Sequence, residues 1–195
     1  MKLQNKAERI ILGIDPGTNF MGYGLIQITG KNACFIHMDV IVMNKLPNHF
    51  LKLKHIFEEI IRIIEFYKPD EVALEAPFYA KNIQSMLKLG RAQGIAMAAA
   101  LNRNLPVFEY SPRRVKQSIT GKGTASKQQV ALMLQQILSF GSIPGKLDAT
   151  DALAVALCHH FQNNAGGKKT SETAKKYGTW EAFVAANTNR IQNTE

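Results

Sequence analysis

Cysteine, tryptophan and acid are scarce in this chain: two Cys, one Trp, and 15 Asp plus Glu against 24 Lys plus Arg in 195 residues. Cys34 and Cys158 have no CxxC partner, so neither a disulfide framework nor a zinc site is indicated. Long apolar runs are also missing. Lys, Arg, Asp or Glu interrupts the hydrophobic stretches well before membrane-spanning length, which argues against a transmembrane helix. Lys2, Lys6 and Arg9 precede the apolar run from Ile10 to Ile14, but that run is too short for a signal peptide and ends in Asp15. A cytoplasmic protein is expected. The shortage of acid leaves a net charge of +9. A polyanion is the natural partner of such a chain, because each phosphate it neutralises releases condensed counterions; simple solubility is the alternative reading.

The length suits one well-cored domain and a tail. Ile10 to Asp15 reads as a strand, followed by the turn Asp15-Pro16-Gly17, a second strand around Tyr23 to Gln27 and a third near Cys34 to Val42. Short connections holding Gly17 and Gly30 make these an antiparallel meander. The hydrophobic period then changes. Phe50, Leu53, Phe57, Ile60, Ile61 and Ile64 predict an amphipathic helix over 50–67, stopped before Pro69. A strand over Glu71 to Glu75, a small-residue helix over 81–102 and a short strand from Val107 to Tyr110 follow. Ser111-Pro112 opens one helix, the Ser126/Gln129 capping box opens another, and a last core helix spans about Leu147 to Phe161. The expected fold is α/β and ribonuclease H-like. It has a five-stranded mixed sheet, three antiparallel strands plus two reached by helical crossover, flanked by helices. Residues 1–162 form the domain; 163–195 read as a flexible linker to about 178 and a short extension carrying Trp180, Phe183 and Val184.

Four acids stand out against this frame. Asp15 ends the first strand and Glu75 the fourth, while Asp148 and Asp151 lie three apart on the last helix and so share a face. Asp-Pro-Gly is also a common turn, and Asp148 is also a favourable first-turn charge. Glu75 and Asp151 have no such simple role. Each follows or sits among apolar residues where an unpaired carboxylate is costly. If the four meet, the set suits two hard divalent cations and hydrolytic phosphoryl transfer.

Four blocks, ILGIDPGTNFMGYG at 11–24, LEAPFYAKNIQSMLKLGRAQG at 74–94, PVFEYSPRRVKQSITGKGTASKQQV at 106–130 and DATDALAVALCH at 148–159, resemble the RuvC family of Holliday-junction resolvases over about Ile10 to His160. The resemblance implies a homodimeric, structure-selective DNA endonuclease acting in recombination and repair. It makes paired nicks in four-way junctions and leaves 5′-phosphate and 3′-hydroxyl ends. It implies two Mg²⁺ per site, with Mn²⁺ as a substitute, held by Asp15, Glu75, Asp148 and Asp151 as catalytic ligands. Phe78 matches the aromatic that enters the junction core, with Tyr79 beside it. Lys116 and Lys127 match the family's basic residues. Arg113, Arg114, Lys122 and Lys81 are expected to join them on phosphates, and Lys88 and Arg91 to extend that surface. The branch-migration proteins RuvA and RuvB are the implied partners. Residues 163–195 fall outside the resemblance.

Three other readings compete. DPGTNFMGYG also looks like the phosphate loop of actin-like phosphotransferases, but those need a second such domain. A nuclease acting on RNA shares the fold and metal logic. A non-catalytic junction-binding module leaves Glu75 and Asp151 without a purpose. GKGTAS at 121–126 lacks the GxxxxGK spacing of a nucleotide-binding loop, and Cys158-His159-His160 reads as the end of a core helix.

Overall fold

A computed structural model describes residues 8–77, 82–141 and 147–165 of the chain. Two compact units divide it, Met1–Phe161 and Gln162–Glu195, and the first holds the whole sheet. Three strands, β1 (Glu8–Asp15), β2 (Phe20–Thr29) and β3 (Asn32–Val42), form the expected meander. Helix α1 (His49–Tyr67) leads to β4 (Glu71–Glu75), and α2 (Ile83–Asn102) to β5 (Val107–Tyr110). Helices α3 (Pro112–Thr120), α4 (Lys127–Leu138) and α5 (Leu147–Ala165) close the order. The sheet runs β3-β2-β1-β4-β5, with antiparallel β1–β2 and β2–β3 pairs and parallel β1–β4 and β4–β5 pairs.

Strand period decides which residues face which helices. Ile11 and Ala73 belong to the core under α3, α4 and α5, whereas Leu12, Ile14, Val72 and Leu74 belong to the core under α1 and α2. Ile11, Leu12 and Ile14 are wholly buried, and burial of each such side chain stabilises the fold by about 1.5–3 kcal/mol. A sheet buried on both faces explains why β1 reads as a continuous apolar run rather than an alternation. The helix starts follow local chemistry. Ser126 accepts from the Gln129 amide and Gln129 returns to the Ser126 amide, a complete capping box; Ser111 accepts from Arg114 at 3.4 Å. Asn48, one residue ahead of α1, caps it by accepting from Leu51. Lys68 takes the left-handed conformation (φ 48°) ahead of Pro69 and ends that helix.

Helix α5 extends beyond the expected Phe161 to Ala165, so 163–165, read from composition as linker, are helical. No glycine or proline interrupts the chain there until Gly166, and Asn is compatible with a helix end. The rest of the linker, the Trp180 patch, and Phe78, Tyr79 and Lys81 lie outside the described residues. No helix among the described residues is long and apolar enough to cross a membrane.

Candidate active site

Asp15 and Glu75 end adjacent parallel strands. The register Gly13↔Ala73, Ile14↔Leu74 brings them side by side, and the two-residue period turns both to the α5 face of the sheet. The Asp15 and Glu75 carboxyl groups lie within hydrogen-bonding reach of each other. Above them lies the first turn of α5. Carboxylate oxygens of Asp15, Asp148 and Asp151 all fall within 4.8 Å of one another.

What lets α5 come so close is a patch without side chains. Asp15 pairs with Gly22, and Gly13 with Gly24, across β1 and β2. A Cβ on Gly13 would stand 2.1 Å from the Ala152 carbonyl oxygen, and one on Gly24 would stand 2.8 Å from the Leu153 Cα. The helix therefore lies with backbone against sheet, its N-terminal turn over the carboxyl ends of β1 and β4. The sequence reading missed this groove, although the alternate glycines of GIDPGTNFMGYG were its visible signal.

The site is starved of positive charge relative to its acids. Burial, then the charges of Glu75 and Asp151, push the Asp15 carboxyl up to about 8. Burial and Asp151 raise Glu75, and burial raises Asp151 even against its ion pair. That pair is with Lys127, whose ammonium contacts Asp151 and lies 3.8 Å from Asp148. Burial opposes the charge on Lys127, but Asp151, Asp15 and Asp148 together raise its proton affinity. The donor set is all carboxylate oxygen with an unrelieved negative charge, which fits hard divalent cations.

The other expected residues divide. Lys116 acts on Glu75 and Asp151 and belongs to the same field, whereas Arg114 acts on Tyr110 and Cys158. Arg113 is exposed and lies over Gly123, and Lys122 is exposed in the loop after α3. Gln93 was not anticipated. It is buried in α2, where its amide donates to Glu109 at 2.6 Å and reaches the Glu75 carbonyl at 3.5 Å, bracing the strand end that carries Glu75. Only its place on the inner face of α2 marks it in the sequence. The Cys158-His159-His160 run is buried helix as expected. His159 accepts or donates between Tyr110 and Glu71 (2.6 and 2.9 Å), and Arg9 completes the network at the pole opposite the acids.

Comparison with known proteins now decides the family. Residues 11–159 match the family model for crossover junction endodeoxyribonuclease RuvC. The chain belongs to the RuvC family. Two curated members show how completely the match extends. The RuvC of Christiangramia forsetii is 54% identical over 96% of this chain and 95% of its own, and that of Bacteroides fragilis is 52% identical over 97% and 100%. Among solved structures, Thermus thermophilus RuvC in complex with a Holliday junction substrate shares 31% identity at a TM-score of 0.76, over 81% of this chain and 96% of that one. The yeast mitochondrial resolvase Ydc2, at 16% identity and a TM-score of 0.57, shares the fold. The RuvC fold thus carries the acidic cleft described above, and the actin-like alternative has no support from these relatives.

Proposed function

We propose that this RuvC-family endonuclease resolves four-way DNA junctions by paired symmetric nicks, with Asp15, Glu75, Asp148 and Asp151 as its catalytic carboxylates. The observation that carries the reading is the convergence of these acids, from three separate elements, under a helix seated on glycine. Asp15, Glu75, Asp148 and Asp151 would hold two Mg²⁺ ions, replaceable by Mn²⁺, which when bound would supply Lewis-acid stabilisation of phosphoryl charge and a nucleophile available at neutral pH.

The chain's own residues supply binding and orientation. Lys127 and Lys116 orient the scissile phosphate by charge and restrain the acids until the cations enter. Phe78 and Tyr79 stack on bases at the opened centre of the junction, and Lys81, Arg113, Arg114 and Lys122 hold backbone phosphates. Products carry 5′-phosphate and 3′-hydroxyl ends.

A homodimer supplies the second nick, since a C2 pair matches the two-fold symmetry of an opened junction. The face of α2 bearing Ile83 and Leu87, 72% and 50% exposed, supports this, for two such apolar side chains in adjacent turns favour a partner helix. Residues 1–162 are the nuclease domain and 163–195 an extension. The enzyme works in the cytoplasm alongside RuvA and RuvB. The test is a synthetic four-way junction incubated with Mg²⁺ or Ca²⁺. Binding in both ions with symmetric, ligatable nicks only in Mg²⁺ is expected; cleavage of RNA hairpins or linear duplex in preference to junctions would overturn the assignment.

A further inference from the structure

Close to the acids, the molecule carries a concavity of the opposite charge. It has a volume of about 370 Å³ and lies between the turn that follows β1 and the first turns of α1 and α2. Thr18 and Asn19 come from the turn, His49 and Lys52 from α1, Ser85 and Lys88 from α2. Among the described residues that line it, none is acidic and none is Phe, Tyr or Trp. The Lys52 ammonium donates to Asn19 Oδ1 at 2.6 Å, which ties helix to turn and holds the charge at the wall.

One atom in this pocket lacks what its chemistry requires. Nε2 of His49, a half-buried residue, is shielded from solvent and has no hydrogen-bond partner among the described residues, and a shielded polar atom is costly to leave unpaired. Burial, Arg91, Lys88 and Lys52 hold this imidazole below its ordinary range, so among the described residues the charges that act on it are cations. The first-turn amides of α1 add further donors, since Asn48 satisfies only that of Leu51 by its side chain. An anion with several acceptor oxygens fits this donor set, and none of the described lining residues is a carboxylate.

Position narrows the anion. Thr18 is three residues from Asp15, so chain length alone limits their separation to roughly 11 Å. We propose that this pocket binds a backbone phosphate of the cleaved DNA strand, adjacent to the scissile phosphate, and thereby sets which phosphodiester bond lies over Asp15. The site rests on the nuclease reading given above and deepens it. Its residues are positioning residues, for they meet the strand outside the bond that breaks.

The experiment uses the full chain with Asp15→Asn, so that binding is read without cleavage, and junctions carrying one neutral methylphosphonate at successive positions around the cut. One position flanking the scissile phosphate is expected to weaken binding by at least about threefold in this parent and to have no further effect once Lys52→Ala and Lys88→Ala are added. The same pair of changes should flatten the slope of log K against log salt by about one, as loss of a phosphate contact requires. Lys52→Arg with Lys88→Arg should restore the coupling, which separates lost charge from lost fold. Junction binding is also expected to shift the His49 ring resonances, whereas a merely structural histidine would not respond. Equal losses in parent and double variant at every position, with junction binding by the parent intact, would overturn the pocket alone. So would inorganic phosphate that shifts the His49 resonances without competing with junction, since it assigns the pocket to the free ion. A parent that binds no junction would overturn both this site and the nuclease reading beneath it.

Discussion

Gly22 lies directly under Asp148: a Cβ at position 22 would stand 2.0 Å from the Asp148 carbonyl oxygen. The contact is to backbone, so no rotamer change relieves it. Gly22→Ala must lift the first turn of α5 from the sheet, and with it two of the four acids. The expected cost is about 1–3 kcal/mol of stability by urea denaturation. Single-turnover nicking should fall by more than that loss explains while junction affinity holds. A variant that nicks at the parental rate would show that the glycine groove does not set the site.

Metal-free stability should improve when the central acid is neutralised. Asp15 has a folded pKa of about 8 against an ordinary 3.8. Between those values the folded chain binds more protons than the unfolded one. The stability linked to its protonated form is therefore full below pH 3.8 and is lost as pH rises towards 8. In EDTA at pH 8, Asp15→Asn should raise Tm by on the order of 5 °C, and Mg²⁺ should stabilise the parent more than the variant. A lower Tm for the variant under those conditions would contradict the repulsion inferred here.

Divalent cations should displace protons from the same site. With Asp15 largely protonated below pH 8, each unit of acidification is expected to weaken Mg²⁺ binding by about tenfold. Calorimetry in two buffers of different ionisation enthalpy would measure the protons released per ion. A pH-independent affinity between 6 and 8 would place the raised proton affinity on some group other than the ligands.

Lys127 is the ammonium paired with Asp151 and Asp148, and Lys116 acts on the same field. Lys127→Ala leaves Asp151 and Asp148 without their ion-pair partner, so the acids should hold protons more tightly still. The acid limb of the nicking profile is expected to move to higher pH, and nicking at pH 7 to drop by about 10²-fold. Lys127→Arg should recover part of both. An unshifted limb would make Lys127 a contact for DNA alone.

At the other pole, His159 is held neutral by burial, below its ordinary range, between Tyr110 and Glu71. A lowered folded pKa means that its contribution is complete above the unfolded value of about 6.5 and is lost as pH falls below it. His159→Gln should cost about 1–3 kcal/mol at pH 7.5 and show less additional loss on acidification, with the nicking rate of the folded fraction unchanged. A reduced rate would reveal coupling between the two ends of α5.

Much of this protein was legible in its residues because local chemistry acts over a few positions. The apolar run of β1, the helical period of 50–67, the serine caps at 111 and 126 and the abrupt end at Pro69 each announce an element, and the order of elements selects the sheet. The four acids were visible too, since Glu75 and Asp151 sit among apolar neighbours that no isolated carboxylate tolerates. What the residues alone did not decide was distance. That Asp15 meets Glu75 follows from a register between strands 60 residues apart in sequence, and that Asp148 and Asp151 descend onto them follows from three glycines that carry no side chain to notice. Lys127 as counter-ion, Gln93 as brace and His49 as an unpartnered imidazole are equally products of packing. Period and capping are properties of neighbours along the chain, whereas charge coupling and burial depend on which segments the tertiary fold brings within a few ångströms.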